Sequence, residues 1–356
     1  MLKILDRSKF QSITNGKETD LFYLKNSNGI QVAITNYGAK VQQLLIPNEK
    51  GDQVDILLGY DNIESTINGH PSMNAFIGRY ANRIANSTFR LDGKIHKLTS
   101  NSNGHCLHGG FNGSRFQTFD VIDFSDRKLS LLYNFVGRED SFPGNLKLNL
   151  EYSINDRNHL IISWIAKVFD KPTVASFTSH LFFNLNGIAN TDICNHIVEI
   201  PSKEYLPINS ENIPLGDKYP VLNTPMDFRV EKLIKSGIDS THPQIQLANG
   251  YDHYYIINRN AMDPYLALAA RVKLPDSNLS IEVWTTEPGL QFYTGNNLGF
   301  DPLMDKGKFG VQFIKRAGLC IEPSRYPNAP NQENFPSSIV RTDIPYQGRI
   351  EYRIST

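Results

Sequence analysis

Residues 104–110 read GHCLHGG, which sets His105 and His108 three positions apart around Cys106 and ahead of a glycine pair. Imidazole and thiol are metal-ligand types, but a structural zinc site takes three or four such donors, and no second cysteine lies near Cys106 to complete a set. A spacing of three aligns both rings only on a helix, which Gly104, Gly109 and Gly110 oppose. The segment therefore reads as a turn whose two rings point apart, one exposed and the other hydrogen-bonded, with no metal. His180 lies in VASFTSHLFFNLNG (174–187), where apolar neighbours would desolvate it and favour the neutral ring, with Ser179 and Asn184 as bonding partners. Glu322, in GLCIEPSRYPNAPN (318–331), follows Leu319, Cys320 and Ile321. A carboxylate at the end of a buried strand is costly unless it is paired, here with Arg325 or Arg316, or used chemically. Tyr251-Asp252-His253 and WTTEPGLQFYTG (284–295) mix rings with carboxylate and amide groups, the set that holds sugars by stacking and by paired hydrogen bonds to neighbouring hydroxyls. Glycine loops of the kind that cradle phosphates are absent.

The elements that must position these groups read as strands. LKLNLEYSI (146–154) alternates apolar and polar residues throughout, the signature of a half-buried strand. FRLDGKIHKL (89–98) alternates on both sides of Asp92-Gly93, a pair suited to the positive φ angles of a type I′ hairpin. Similar segments begin at residues 30, 129, 159, 279 and 349. Helical periodicity is weak, and pieces such as YLALAARV (265–272) are too brief to build a helical layer. Residues 201–250 carry six prolines and read as long irregular connections. No linker or repeat divides residues 1–356. The pattern favours one all-β domain, a large antiparallel β-sandwich, over an α/β sheet, which would need helices of about 10 residues or more between strands.

The chain of 356 residues is 40% hydrophobic, and its 36 basic and 36 acidic residues cancel. Neither nucleic acid nor an anionic membrane is expected as a partner. Cys106, Cys194 and Cys320 form an odd, widely spaced set that suits a reducing compartment, so the expected location is cytoplasmic. No window approaches the ~18 apolar residues of a membrane helix. The sequons at Asn86 and Asn112 read as chance matches.

Several stretches in order resemble one family: GRYANRI (78–84), FRLDGKIHKL (89–98), LHGG (107–110), SHLFFNLNG (179–187), TPMDFR (224–229), GYDHYY (250–255), EPGLQFYTGN (287–296) and IEPSRYPNAPNQENFPS (321–337). Together they look like the motif series of the aldose 1-epimerases, or galactose mutarotases. The resemblance implies a galactose mutarotase-like β-sandwich, no cofactor, and interconversion of the α and β anomers of a free aldohexose. It also implies that Glu322 is the catalytic base and His180 the general acid, with Asn82, Arg83, His108, Asp252 and Gln291 binding the sugar. Ring opening takes a proton from the anomeric hydroxyl while another reaches the ring oxygen, so a base and an acid must flank the C1–O5 bond.

The sequence departs from the family pattern at Ser179, Leu181 and Phe182, where Asn, Ser and Tyr are common, and at Asn328, where aspartate is common. Arg325 beside Glu322 raises the alternative of a hexose 6-phosphate or other modified sugar. A non-catalytic sugar-binding module of the same fold is opposed by the presence of both Glu322 and His180. A glycoside hydrolase would need two carboxylates flanking its bond, and Asp252 is the one further candidate. The preferred hexose and the oligomeric state are not legible.

Overall fold

Alternation along Leu146–Ile154 is kept in three dimensions: Leu146, Leu148, Leu150, Tyr152 and Ile154 are buried and the residues between them are not. The computed structural model describes residues 3–48, 50–187, 191–258 and 265–356. Leu146–Ile154 lies between Lys128–Phe135 and His159–Val168 in a nine-stranded antiparallel sheet. The order continues through Tyr346–Ser355, Ser280–Thr285 and Ala267–Lys273. The segments read as strands from residues 30, 129, 159, 279 and 349 all form strands. Asp92 and Gly93 take φ angles of 47° and 78° in the hairpin between Thr88–Leu91 and Lys94–Lys97.

Two smaller antiparallel sheets complete the architecture. One has four strands between Leu21 and Asp55, and the other has five in the order Tyr219–Pro220, Glu204–Leu206, Asp252–Ile256, Gly289–Tyr293, Cys320–Ser324. A shared core takes Leu148, Leu150 and Trp164 from the large sheet, Val32 and Val41 from the four-stranded sheet, and Tyr255, Phe292 and Ile321 from the five-stranded one. The fold is an antiparallel β-sandwich held by apolar faces that alternate at period two.

YLALAARV, too brief for a helical layer, is mostly the strand Ala267–Lys273, paired with Ser280–Thr285. One expectation is corrected. Residues 201–250 are more regular than their prolines suggest: they hold three short strands and the helix Pro243–Ala248, which uses Pro243 in its first turn, where no amide donor is needed. No helix among the described residues is long and apolar enough to cross a membrane.

Candidate active site

The five-stranded sheet divides its residues between core and cleft. Asp252 stands opposite Tyr293, and Gln291 opposite Glu322, in neighbouring antiparallel strands. Positions opposite each other share a face, so Asp252, Gln291, Tyr293 and Glu322 project together while Phe292 and Ile321 turn into the core. Glu322 is therefore in the middle of its strand, not at the end. All seven residues singled out from the sequence, Asn82, Arg83, His108, His180, Asp252, Gln291 and Glu322, line one cleft of about 200 Å³.

His180 follows the short strand Thr178–Ser179, which pairs with Phe76–Ile77. Its amide donates to Ala75 O and its carbonyl accepts from Asn74, both at 3.0 Å. This fixes the ring with Nε2 3.5 Å from Oε1 of Glu322. Neither arginine considered as a partner for Glu322 reaches it. Arg316 pairs with Asp239, and Arg325 donates to Ala175 O and lies over the Tyr346 ring, 3.6 Å from its centroid, in a separate groove. Asn184 is also committed elsewhere, donating to Ala317 O and Thr191 O. Phe182, at the position where tyrosine is common, stacks on His180 with centroids 5.0 Å apart and an interplanar angle of 13°.

His108 packs edge-on against His180, 5.4 Å between centroids. Its Nδ1 accepts the Asn82 amide hydrogen at 3.1 Å, which leaves the proton of a neutral ring on Nε2 as a donor. His105 is likewise buried, with Nδ1 accepting from Asn86, so the expectation that one of the two rings is exposed is wrong. The flanking glycines also serve a different purpose from a close approach to ligand. A Cβ on Gly109, at φ +81°, would meet Gly78 O at 2.3 Å, and one on Gly110 would meet Asp140 at 2.3 Å. They let the turn close on protein, and that closure aims His108.

Gln291 donates to Oδ1 of Asp252 at 2.6 Å. Oε1 of Gln291 and Nδ1 of His180 are buried without a partner among the described residues, the pattern of polar atoms awaiting a ligand. Burial, reinforced by the negative charge of Asp252, pushes the Glu322 carboxyl well above its usual range. Burial also raises Asp252, against the opposing effects of Arg83 and the Gln291 bond. Burial drives His180 down to about 3 and His108 well below an ordinary histidine, with the Arg115 cation adding to both. Burial thus disfavours both charged forms, the Glu322 carboxylate and the His180 imidazolium. Cys320 joins this pair in a group whose donor atoms lie within 4.8 Å of one another. Burial favours the protonated thiol as well, so of the three donors only the neutral His180 ring is in a form that ligates a cation well.

The site also holds residues missed in the sequence. His70, Ser72, Met73, Phe182, Tyr293 and Asn297 line the same cleft. Tyr293 lay in a stretch flagged for sugar binding, whereas Trp284 of that stretch bonds Glu282 on the large sheet, away from the cleft. Tyr251 and His253 are core residues. His70 carried no signal, because it stands alone in a polar segment.

A family model described as aldose 1-epimerase matches residues 20–353. The chain belongs to the aldose 1-epimerase family. It is 34% identical over 344 residues to the galactose mutarotase of Sus scrofa, covering 96% of this chain and 95% of that one. It is 32% identical over 341 residues to the aldose 1-epimerase of Escherichia coli, with 95% and 96% covered. Among solved structures, an aldose epimerase homologue from C. elegans superposes with a TM-score of 0.86 at 28% identity, over 95% of this chain and 99% of that one. The family match therefore takes in strands of all three of these sheets, and every strand that carries a cleft residue lies within it.

Proposed function

We propose that this protein is an aldose 1-epimerase, an isomerase that interconverts the α and β anomers of free aldohexoses such as galactose and glucose. The observation that carries this reading is the His180–Glu322 pair, 3.5 Å apart, at the centre of a cleft lined by five further sugar-binding candidates. Glu322 takes the proton of O1 and His180 gives one to O5; the open aldehyde rotates about C1–C2 and the roles reverse on closure. Burial favours a shared proton on the carboxyl over the imidazole, so entry into this cycle moves it to the imidazole. Hydroxyls of the bound sugar that donate to Glu322 favour that transfer by stabilising the carboxylate.

His108 donates from Nε2 and Arg83 from its guanidinium to oxygens near the reacting centre, while Asp252 and Gln291 fix more remote hydroxyls. The hexose 6-phosphate alternative loses its support, because Arg325 lies outside the cleft and Arg83 is the one cationic side chain among the residues that line it. We further infer that residues 1–356 act as one domain, that neither nucleic acid nor membrane is a partner, and that the cytoplasm is the site of action. The balanced charge and the three unpaired cysteines support this.

Polarimetry of freshly dissolved α-galactose and α-glucose, with and without protein, tests the reading. Accelerated equilibration is expected. An unchanged rate with both sugars would leave a binding module in its place.

A further inference from the structure

His70 reaches the cleft from the flank that carries His180. The turn of residues 70–75 is bonded to it, since Asn74 donates to His180 O and His180 to Ala75 O. Met73 and Phe182, the ring stacked on His180, share one apolar cluster. His70 is also built into place. Its Nε2 lies 2.7 Å from Oδ1 of Asp305, a fully buried carboxylate whose Oδ2 accepts the Asp301 amide hydrogen. Its own amide donates to the Tyr60 hydroxyl at 2.7 Å, and that hydroxyl donates to Met304 O.

A carboxylate can only accept, so Nε2 carries hydrogen and Nδ1 is left for another partner. No described residue bonds Nδ1, and the side chain keeps 21% exposure where it lines the cleft. A buried carboxylate that orients a ligand-facing imidazole is a costly arrangement unless the ring is used.

We propose that His70, oriented by Asp305, is a specificity-determining residue that bonds the C6 hydroxyl of a hexose. This rests on the reading that His180 faces O5 and Glu322 faces O1. With those atoms placed, the ring position beyond O5 is C5, whose substituent is the hydroxymethyl group, and it meets the wall that His180 and His70 share. Met73, Phe182 and Leu298 give that end an apolar lining for the C6 methylene. Asp305 behind His70 makes it a poor place for a phosphate, so the hydroxyl is selected over its phosphorylated form.

The test compares kcat/KM for galactose, 6-deoxygalactose and galactose 6-phosphate in the wild-type protein and in His70→Ala, His70→Gln and Asp305→Asn. Wild-type protein should prefer galactose over the 6-deoxy sugar by about tenfold, the scale of one hydrogen bond that leaves a polar group unpaired when lost, and should disfavour the phosphate. His70→Ala should bring the galactose to 6-deoxygalactose ratio near one, and His70→Gln should restore part of it. Asp305→Asn, which keeps shape while weakening the hold on the ring, should lower the ratio and serves if His70→Ala fails to fold. A wild-type ratio near one, or a ratio unmoved by these substitutions, overturns the proposal while leaving the mutarotase reading intact. Absence of turnover with every sugar overturns that reading and this proposal with it.

Discussion

The Phe182 ring lies nearly parallel to the His180 imidazole, 5.0 Å away, and excludes water from one face of it. Burial lowers His180 to about 3, and the Phe182 ring is part of what buries it. Phe182→Ala should hydrate the ring and raise its pKa toward the ordinary histidine value. The acid limb of the pH profile for kcat/KM should then move to higher pH, and a limb that stays in place would show that other neighbours set the shift.

On the proposed mechanism, the active form of the unmodified protein holds one proton on the His180–Glu322 pair. A second proton must go onto His180, which burial holds at about 3, and loss of the shared proton is delayed because Glu322 is pushed well above 4.5. The working window therefore opens near pH 3 and closes well above the titration of an ordinary carboxyl, as two values that belong to the pair. In Glu322→Gln the limb set by the carboxyl should vanish, and the residual rate should instead fall with rising pH through the titration of His180 alone. A profile that declines through pH 4–5 as pH rises would contradict the raised carboxyl.

Glu322→Gln and His180→Asn should each reduce turnover by ~100 to 10,000-fold, the usual contribution of one acid or base. Both are near-isosteric, so melting temperatures should change little. Turnover near that of the parent in either variant would remove that residue from the chemistry.

Gly109→Ala tests how the LHGG turn aims its histidine. The added Cβ would sit 2.3 Å from Gly78 O at a φ of +81°, so the turn must shift and carry His108 with it. KM for galactose should rise more than stability falls. A KM equal to that of the parent would show that His108 is placed by its Asn82 bond alone.

Away from the cleft, Lys308 donates to Asp55, Gln42 O and Leu57 O with no exposure at either charged side chain. Lys308→Met leaves the Asp55 carboxylate buried without its cation, held only by hydrogen bonds such as those from the Leu44 and Leu57 amides, and should cost about 3–5 kcal/mol in denaturant unfolding. Adding Asp55→Leu should recover part of that loss. A loss under about 1 kcal/mol for the single variant, typical of an exposed pair, would indicate that water reaches the carboxylate.

The strands were legible because period-two alternation survives wherever one face is buried, as in Leu146–Ile154. YLALAARV could be set aside as a helical layer but not placed as a strand, since a short run of small and apolar residues has no period of its own and takes its form from the strands beside it. Within the site, Glu322 and His180 stood out as polar residues in apolar runs, and the family motifs marked the other five. His70 was invisible: its importance depends on Asp305, 235 positions away, and nothing local records that pairing. Exposure of the histidine turn was misjudged for a related reason, because the backbone amides that satisfy His105 and His108 come from Asn86 and Asn82, 19 and 26 positions earlier, on either side of the strand Arg83–Ile84.

The register that places Gln291 opposite Glu322 also constrains how this protein can diverge. A single inserted or deleted residue in Gly289–Tyr293 or Cys320–Ser324 would exchange the faces of that strand, driving Phe292 or Ile321 into the cleft and the carboxylate or amide into the core. The spacing of the cleft residues and the core packing are thus written in the same ladder and must change together or not at all. Loops such as residues 70–75, which carry His70 without belonging to that ladder, are the places where new sugar preferences can arise one substitution at a time.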